Sequence, residues 1–306
     1  MTAKPIRNIG ASVRRRLLNN AREEGRGLQE LMQYYAMERF LYFLSVSPYA
    51  DQFVLKGALL LRVWEAPLAR PTMDIDMLGR VSNDEQSIPG IIRDILAVEH
   101  CEDGIVFDPA SISVESITEG AEYKGQRVRF RGVLDAARII IQIDLGFGDR
   151  VYPDPSRQRL PSLLNFPEAE LYCYSRESVI AEKFEAMVKL GILNSRMKDF
   201  CDIWMLSRQY DFQGDNLCEA MRQTLKQRGT ELLLPLAVFS SDFVTAKQVQ
   251  WKAFRKRFPH EYVPDMFDEV VRQLQVFLAP VVEAISAKKR FVDIWVAPDS
   301  WQKSHE

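Results

Sequence analysis

Apolar residues recur at helical spacing near the amino terminus and throughout the carboxy-terminal half of the chain. At the amino terminus this pattern predicts one helix that Ser12 caps and that stops near Gly25, and a second helix over 28–45. The tail from Ala297 is polar, and we expect it to be frayed. In the second half of the chain the same spacing predicts helices over 178–190, 195–208, 215–228, about 245–258 and 265–287.

Residues 52–147 show mixed patterns instead. Residues 126–131 alternate polar with apolar side chains, as a half-exposed strand does, whereas 139–145 are almost continuously apolar, as in a central strand. Four prolines between 148 and 176 indicate a connecting loop. The other elements predicted here are a strand or turn over 53–55, the start of a helix over 58–64, a helix over 89–100, and strands over 73–78, 112–117, 127–133 and 138–145.

Bulk composition is that of an ordinary soluble protein. The chain has 306 residues, of which 47% are hydrophobic and 27% are charged. Its formal net charge of −2 creates no general attraction to nucleic acid or membrane, so an RNA partner would need local basic patches. The sequence has no signal-peptide pattern and no run of about 18 apolar residues. We therefore expect a cytoplasmic protein that does not contact a membrane.

Cysteine and histidine usage argues against several kinds of site. The four cysteines are scattered without a C-x-x-C pair, which disfavours a zinc site or a disulfide framework and favours buried, reduced thiols. None of the three histidines neighbours a plausible nucleophile, so a Ser-His or Cys-His hydrolase is not expected.

Candidate chemistry concentrates between residues 53 and 78. Side chains two apart in a strand share a face, so Asp74 and Asp76 would present two carboxylates side by side. Such carboxylates repel each other without a counter-charge, and Mg²⁺, usually held by one or two carboxylates and substrate phosphates, is an obvious one. Gly57 lets a backbone turn approach phosphates closely. The stretch is typical of a metal-and-nucleotide site.

A glycine turn followed by Asp-x-Asp resembles the nucleotidyltransferase superfamily of the DNA polymerase beta type. The fuller pattern is similar to that of its AbiEii/AbiGii toxin branch, whose members act in bacterial toxin–antitoxin and abortive-infection systems. The resemblance covers roughly residues 10–210, with three motifs in the expected order. Its main string is Leu55-Lys56-Gly57 followed by Arg70-x-Thr72-x-Asp74-Ile75-Asp76.

The resemblance implies an α/β (α+β) fold with a small mixed-sheet nucleotidyltransferase core and a helical carboxy-terminal half. On this basis we expect an amino-terminal helical segment over 1–50, the nucleotidyltransferase core over 51–165 and a helical domain over 166–306. The active site would draw on both the core and the helical domain.

The resemblance also implies which residues bind the nucleotide. Lys56, Gly57 and Ala58 would form the turn that cradles the phosphates. Many superfamily members have Gly-Ser or Gly-Gly at this turn, and Ala58 offers a backbone N–H but no hydroxyl. Arg70 could hold phosphate oxygens with its guanidinium, and Thr72 follows it just before the acidic strand.

Asp144 is a third acidic candidate, near the end of the most buried-looking strand. A carboxylate in such a setting is costly unless it is paired or bound to a metal. By the resemblance, Asp144 would complete a metal site with Asp74 and Asp76. The alternative is that Asp144 caps the turn at Gly146–Gly148, and the sequence leaves both interpretations open.

Lys183 lies among apolar neighbours on a predicted helix, where its ammonium must either reach solvent or meet an anion. In the family, the lysine of an Ala-Glu-Lys run on this helix faces the nucleotide. Here that run is Ala181-Glu182-Lys183, and its charge would stabilise the transferred phosphoryl group.

The third motif is Arg196-x-Lys198-Asp199-x-x-Asp202, which resembles the carboxy-terminal signature of the toxin branch. Lys198, Asp199 and Asp202 are predicted to share the helix face opposite an apolar one. Spacing alone favours a solvated face with one ordinary ion pair. The resemblance implies instead that Asp199 or Asp202 contacts the nucleotide or a catalytic lysine, and that Lys198 binds nucleotide.

Together these features predict metal-assisted transfer of NMP from an NTP to an acceptor, with Mg²⁺ or Mn²⁺ as the metal. The first-choice acceptor is the tRNA 3′ end and the second is a protein hydroxyl. The resemblance further implies a separate antitoxin partner. The catalytic candidates are Asp74, Asp76, Lys183, Asp199 and Asp202.

Two alternatives use the same residues. One is a non-catalytic protein that binds nucleotide or a partner, and the other is a metal-dependent nuclease. If the acceptor is RNA, Arg127, Arg129 and Arg131 are the first candidates for phosphate contacts, because they share one strand face.

Overall fold

A computed structural model describes residues 8–66, 72–83, 86–99, 102–119, 123–256, 258 and 263–304. Its contacts divide the chain into two compact units. Unit 1 contains Met1–Glu65, Pro71–Gly148 and Ser156–Cys173, and unit 2 contains Ala66–Arg70, Asp149–Pro155 and Tyr174–Glu306. The amino-terminal helices therefore group with the sheet, and the division into three domains stays a prediction.

Unit 1 is built on a mixed sheet, which the described residues form with seven strands in the order β3-β4-β5-β2-β1-β7-β6. The pairs β2–β5 and β1–β7 are parallel, and the other neighbours are antiparallel. The strands are β1 (Phe53–Lys56), β2 (Ile75–Gly79), β3 (Ile105–Glu119), β4 (Tyr123–Leu134), β5 (Ala137–Phe147), β6 (Ser156–Leu160) and β7 (Ala169–Cys173). The expected mixed α/β fold is confirmed.

The helices of unit 1 are α1 (Ile9–Glu23), α2 (Leu28–Ser45), α3 (Leu60–Val63) and α4 (Ile88–Leu96). The prediction that Ser12 caps α1 is wrong, because the Asn8 side chain accepts a hydrogen bond from the Ala11 N–H and starts the helix earlier. Helix α2 is buried on nearly every side, as expected of a helix inside a core.

Aromatic rings join α2 to the sheet. Phe40 packs against Phe130 of β4 at 5.4 Å between ring centroids, and Phe43 packs against Phe107 of β3 at 5.5 Å. Aromatic pairs at such distances stabilise by about 0.5–1.5 kcal/mol beyond the area they bury. This core fixes α2 against the strands on one side of the central strand β2, which carries Asp76.

Strand β5 is internal in the sheet, as its apolar run predicted. It is nevertheless buried on one face only: Ile139, Ile141 and Ile143 are buried, whereas Ile140 is half-exposed. The expectation of continuous burial is wrong because only one face of the sheet is covered along this strand. The uncovered face can therefore carry polar chemistry.

The predicted loop over 148–176 is wrong, since it contains β6 and β7. In β7 the buried positions alternate, with Ala169, Leu171 and Cys173 turned inward. Prolines interrupt this region, but they lie outside both five-residue strands. An alternating pattern of only five residues is too short to predict a strand from the sequence. Parallel pairing with β1 then makes β7 part of the sheet.

Unit 2 is mainly helical and confirms the helices predicted for the second half of the chain. A small antiparallel sheet accompanies them, with the strand order β10-β9-β8 in the described residues. The elements are α5 (Arg176–Leu190), α6 (Met197–Gln209), α7 (Gly214–Gln227), α8 (Ser241–Arg255), α9 (Phe267–Ser286), β8 (Phe212–Gln213), β9 (Ile294–Val296) and β10 (Ser300–Gln302).

Residues 297–304, the described part of the tail, are held against unit 2, so the prediction of fraying is wrong for them. Trp301 of β10 stacks on Phe277 of α9 at 5.8 Å between centroids, and its indole N–H donates to the Phe277 carbonyl at 2.9 Å. Strand β9 places Trp295 beside both rings, fully buried. One tryptophan in a polar tail is enough to anchor it, because an aromatic ring buries a large apolar area.

Buried thiols are confirmed for three of the four cysteines. Cys173, Cys201 and Cys218 are buried and unbridged, and Cys101 lies outside the described residues. Burial raises the pKa of the Cys173 thiol to about 12 and that of Cys218 to about 11. Of the helices in the described part of the chain, none combines the length and apolarity needed to cross a bilayer.

The aromatic anchor of the tail predicts that Trp301→Ala lowers the free energy of unfolding by about 2–3 kcal/mol. This is less than the roughly 3–5 kcal/mol of a fully buried aromatic residue, because Trp301 is half-buried. The measurement is urea unfolding followed by far-UV circular dichroism. The neighbouring exposed residue supplies the control, and Gln302→Ala should change stability by less than about 0.5 kcal/mol. Equal effects of the two variants would contradict the anchor.

Candidate active site

Three carboxylates meet at one place on the sheet of unit 1. Asp74, Asp76 and Asp144 each offer an oxygen, and these oxygens lie within 4.8 Å of one another. The parallel pairing of β2 with β5 sets Asp76 directly opposite Asp144, and Asp74 precedes β2 by one residue. Spacing of this kind suits a cation with oxygen ligands.

The carboxylates lie in a row of alternating partners across four strands. Arg127 of β4 is opposite Asp144, which is opposite Asp76, which is opposite Lys56 of β1. Directly opposed residues point to the same face of a sheet. The row therefore reads cation, carboxylate, carboxylate, cation, and the two outer charges offset the repulsion between the inner two.

Arg127 holds Asp144 with a two-pronged contact. Its Nε donates to Asp144 Oδ1 and its Nη2 donates to Asp144 Oδ2, each at 2.7 Å. This hydrogen bonding is the main reason that the pKa of Arg127 is raised. The alternative that Asp144 caps a turn at Gly146–Gly148 is not observed, because β5 continues to Phe147 and both carboxylate oxygens accept from Arg127.

Gly57 is required by the closeness of Asp76. It has φ +75°, and a Cβ added at this position would lie 2.0 Å from Asp76 Oδ2. Only glycine combines that backbone angle with that contact. Lys56 and Ala58 on either side are buried, and a short 3₁₀ turn over Gly57–Leu59 leads into α3.

Thr72 fixes the remaining carboxylate. Its hydroxyl donates to Asp74 Oδ1 at 2.5 Å, and its backbone N–H donates to the Tyr34 hydroxyl of α2 at 3.0 Å. Burial raises the pKa of Tyr34. Thr72 is buried, and the interactions seen for it orient Asp74. Arg70, predicted beside it, lies outside the described residues.

A second charged cluster lies within unit 2. Lys183 Nζ of α5 is 3.0 Å from Asp199 Oδ1 and 2.7 Å from Asp202 Oδ2 of α6. Arg196 Nε is 2.7 Å from Asp199 Oδ2, a charge contact without the alignment of a hydrogen bond. Both aspartates are almost fully buried, so the lysine does meet an anion, and it meets two.

The predicted grouping of Lys198 with the two aspartates is wrong. Asp199 and Asp202 point inward on α6, whereas Lys198 is exposed and lies outside their ion-pair cluster. The spacing of apolar residues on α6 predicts that the aspartates face solvent. Spacing within one helix carries no information about a buried partner on another helix, such as Lys183. Arg196 was in the motif without an assigned role, and its contact with Asp199 was missed.

The arginines predicted to touch RNA have partners inside the sheet. Arg129 donates to Gln142 Oε1 at 3.0 Å and to Glu115 Oε1 at 2.7 Å. Arg131 donates to Asp108 Oδ2 at 2.8 Å. With Arg127 held by Asp144, each guanidinium of this stripe has a carboxylate partner, so it provides little net positive charge. The RNA role of these residues stays a prediction.

Comparison with protein families gives one decisive match. Residues 39–273 match the family described as nucleotidyl transferase AbiEii toxin, type IV toxin–antitoxin system. The chain belongs to the AbiEii nucleotidyltransferase toxin family. This AbiEii-family chain is therefore a nucleotidyltransferase of a toxin–antitoxin system, and membership implies an NTP substrate, a divalent metal and an antitoxin partner.

Among solved structures, the AbiEii-family chain is similar to a protein from H. pylori described as a candidate nucleotidyltransferase. The TM-score is 0.48 at 16% identity, over 87% of this chain and 100% of that one. JHP933 from Helicobacter pylori gives a TM-score of 0.47 at 15% identity, over 86% and 95% of the two chains. A search of curated proteins gave no match.

The contact between Gly57 and Asp76 predicts that Gly57→Ala displaces the Asp76 carboxylate. We expect Mn²⁺ binding, measured by isothermal titration calorimetry, to weaken by at least about tenfold, the usual effect of disturbing a ligand's support. The positive φ alone should cost about 1–2 kcal/mol of stability.

Gly25→Ala is the matched control for this variant. Gly25 also has positive φ, at +65°, but no atom lies within 4 Å of an added Cβ. In urea unfolding, Gly25→Ala should show the loss of stability that the positive φ causes by itself. Its Mn²⁺ binding should be unchanged. If Gly57→Ala binds Mn²⁺ as the wild-type chain does, the glycine does not shape the site.

Proposed function

We propose that this AbiEii-family chain transfers an NMP group from an NTP to the 3′ end of tRNA with the help of Mg²⁺. The observation that carries the proposal is the group of three carboxylate oxygens within 4.8 Å, contributed by Asp74, Asp76 and Asp144. Mg²⁺ and Mn²⁺ prefer oxygen ligands, and the candidate set contains neither sulfur nor imidazole. We take Mg²⁺ as the first choice and Mn²⁺ as its substitute.

The ligand set fits the requirements of phosphoryl chemistry. When bound, the metal would stabilise charge on the entering and leaving oxygens of an in-line displacement at the α-phosphorus. The acceptor hydroxyl oxygen forms the new bond to that phosphorus, and the bond to the bridging oxygen breaks, releasing pyrophosphate and the hydroxyl proton. The residues of the chain orient these groups, since such reactions depend mainly on positioning and charge.

Residues around Gly57 would hold the triphosphate. Lys56 ends β1 opposite Asp76 and supplies positive charge at the site, and Gly57 and Ala58 begin the turn that follows. In this proposal Thr72 acts on the nucleotide indirectly, through Asp74, and Arg70 binds phosphate oxygens.

In unit 2, we propose that Lys183 is the cation that balances charge on the transferred group. Its side chain is mostly buried, but 14% of it remains exposed. Asp199 and Asp202 would orient it, and Lys198 would contact nucleotide from the exposed side of α6. The competing interpretation is that the cluster only stabilises the helices.

The acceptor is proposed from the family resemblance, with a protein hydroxyl as the second choice. Family membership decides for a transferase over a nuclease or a non-catalytic binding protein. Its type IV toxin–antitoxin description supports an antitoxin partner.

Incubation with total tRNA, Mg²⁺ and each α-³²P-labelled NTP should transfer label to RNA. Asp76→Asn should reduce the label at least about 100-fold, because the site loses one of its charged ligands. Asp108→Asn is the control, since Asp108 is an ion-paired aspartate of the same sheet outside the cluster. Transfer that persists in Asp76→Asn would contradict the proposed site. If the label is transferred to protein instead of RNA, the proposed active site stands and only the proposed acceptor is wrong.

Lys183→Met should lower stability by about 3–5 kcal/mol, because it removes the cation that two buried carboxylates share. Removing the charges together, in Lys183→Met/Asp199→Asn/Asp202→Asn, should restore much of the stability measured by urea unfolding. A catalytic lysine predicts that the triple variant stays inactive in the label-transfer assay. Recovered activity would show that the cluster is structural. Lys189 is exposed on the same helix, and Lys189→Met is the control for the loss of a lysine.

A further inference from the structure

The contact between Arg127 and Asp144 raises a specific question about the acidic site. An arginine that occupies both oxygens of a carboxylate can compete with a metal for it, or can hold it in place for the metal. The two roles predict opposite effects when the arginine is weakened.

The number of lone pairs allows both partners at once. An ionised carboxylate has about four acceptor positions on two oxygens, and a bidentate arginine uses two of them. While its oxygens accept from Arg127, Asp144 still has one oxygen within 4.8 Å of those of Asp74 and Asp76. The arginine therefore lies on one side of the carboxylate and leaves another side toward the cluster.

Each of the other two carboxylates has a support of its own. Thr72 donates to Asp74, and the backbone of Gly57 lies against Asp76. Among the described residues, the hydrogen bonds to the Asp144 carboxylate come from Arg127 alone. Without that contact the Asp144 side chain would be free to rotate away from the cluster.

Arg127 is itself fixed by the sheet. It is paired across the strands with Asp144, and its Nη1 lies 4.0 Å from Glu115 Oε1 of β3. The row contains two cations and two aspartates, and Asp74 lies beside it. Together these five side chains carry a formal charge of −1. A divalent cation would make it +1, which suits an anionic triphosphate, so the arginine need not leave when the metal arrives.

We propose that Arg127 is a positioning residue that holds the Asp144 carboxylate as the third metal ligand. The inference rests on the proposed function in one respect, namely that the three carboxylates bind a divalent cation. It assigns Arg127 to the metal site and removes it from the candidates for RNA contact.

The test is Mn²⁺ binding to the full chain, measured by electron paramagnetic resonance of free Mn²⁺ without nucleotide or RNA. Arg127→Lys keeps the charge but loses the planar two-pronged contact. We expect its Mn²⁺ affinity to fall by about 10–100-fold, the range found when a partner of a metal ligand is removed. Arg129→Lys is the matched control, two residues along the same strand face, and should stay within about twofold of the wild-type chain.

The outcomes separate this inference from the proposed function. If Asp76→Asn binds Mn²⁺ as tightly as the wild-type chain, or if neither binds it, the proposed metal site is wrong and the inference falls with it. If Asp76→Asn loses binding while Arg127→Lys binds equally or more tightly, the metal site stands and the positioning role is overturned. Equal losses in Arg127→Lys and Arg129→Lys also overturn it, because they indicate a general effect of the arginine stripe.

Folding of each variant is checked by its far-UV circular dichroism melting curve. Should Arg127→Lys fail to fold, Arg127→Gln replaces it, with the same expected loss of affinity. Arg127→Gln binding Mn²⁺ as tightly as the wild-type chain would then overturn the proposal.

Discussion

The parallel register between β2 and β5 is the constraint on which the acidic site depends. It sets Asp76 opposite Asp144, and the antiparallel pairs on either side add Lys56 and Arg127 to the same row. Because side chains alternate along a strand, a slip of one residue in either strand would turn its carboxylate toward the buried face. The buried isoleucines of β5 prevent that slip, since they would be exposed by it.

Three carboxylates so close together repel one another, and the fold restrains each by a different means. A threonine hydroxyl holds Asp74, the backbone of a glycine lies against Asp76, and a guanidinium holds Asp144. Like charges kept this close are typical of sites that bind cations. Gly57 and Thr72 come from segments before β2, and Arg127 comes from β4, between the two acidic strands.

Unit 2 also pairs buried charges, here between two helices. Two aspartates three residues apart on α6 share one lysine from α5, and Arg196 supplies a second positive charge, so that the charges are matched within the unit. Replacing such a cluster with apolar residues often costs little stability, whereas breaking it costs much. The proposed role of Lys183 as the cation at the transferred group would give these charges a use beyond stability.

The local sequence was sufficient for the helices of unit 2, for the shared face of Asp74 and Asp76, and for the family, because periodicity and short motifs are properties of neighbouring residues. It was insufficient for β6, β7 and the anchored tail, whose strands are only three to five residues long. Nor could it reveal that Arg127 holds Asp144 or that Lys183 meets both Asp199 and Asp202. Those partners are decided by strand register and helix packing, which depend on the burial of the whole unit and leave no trace in the spacing of the residues concerned.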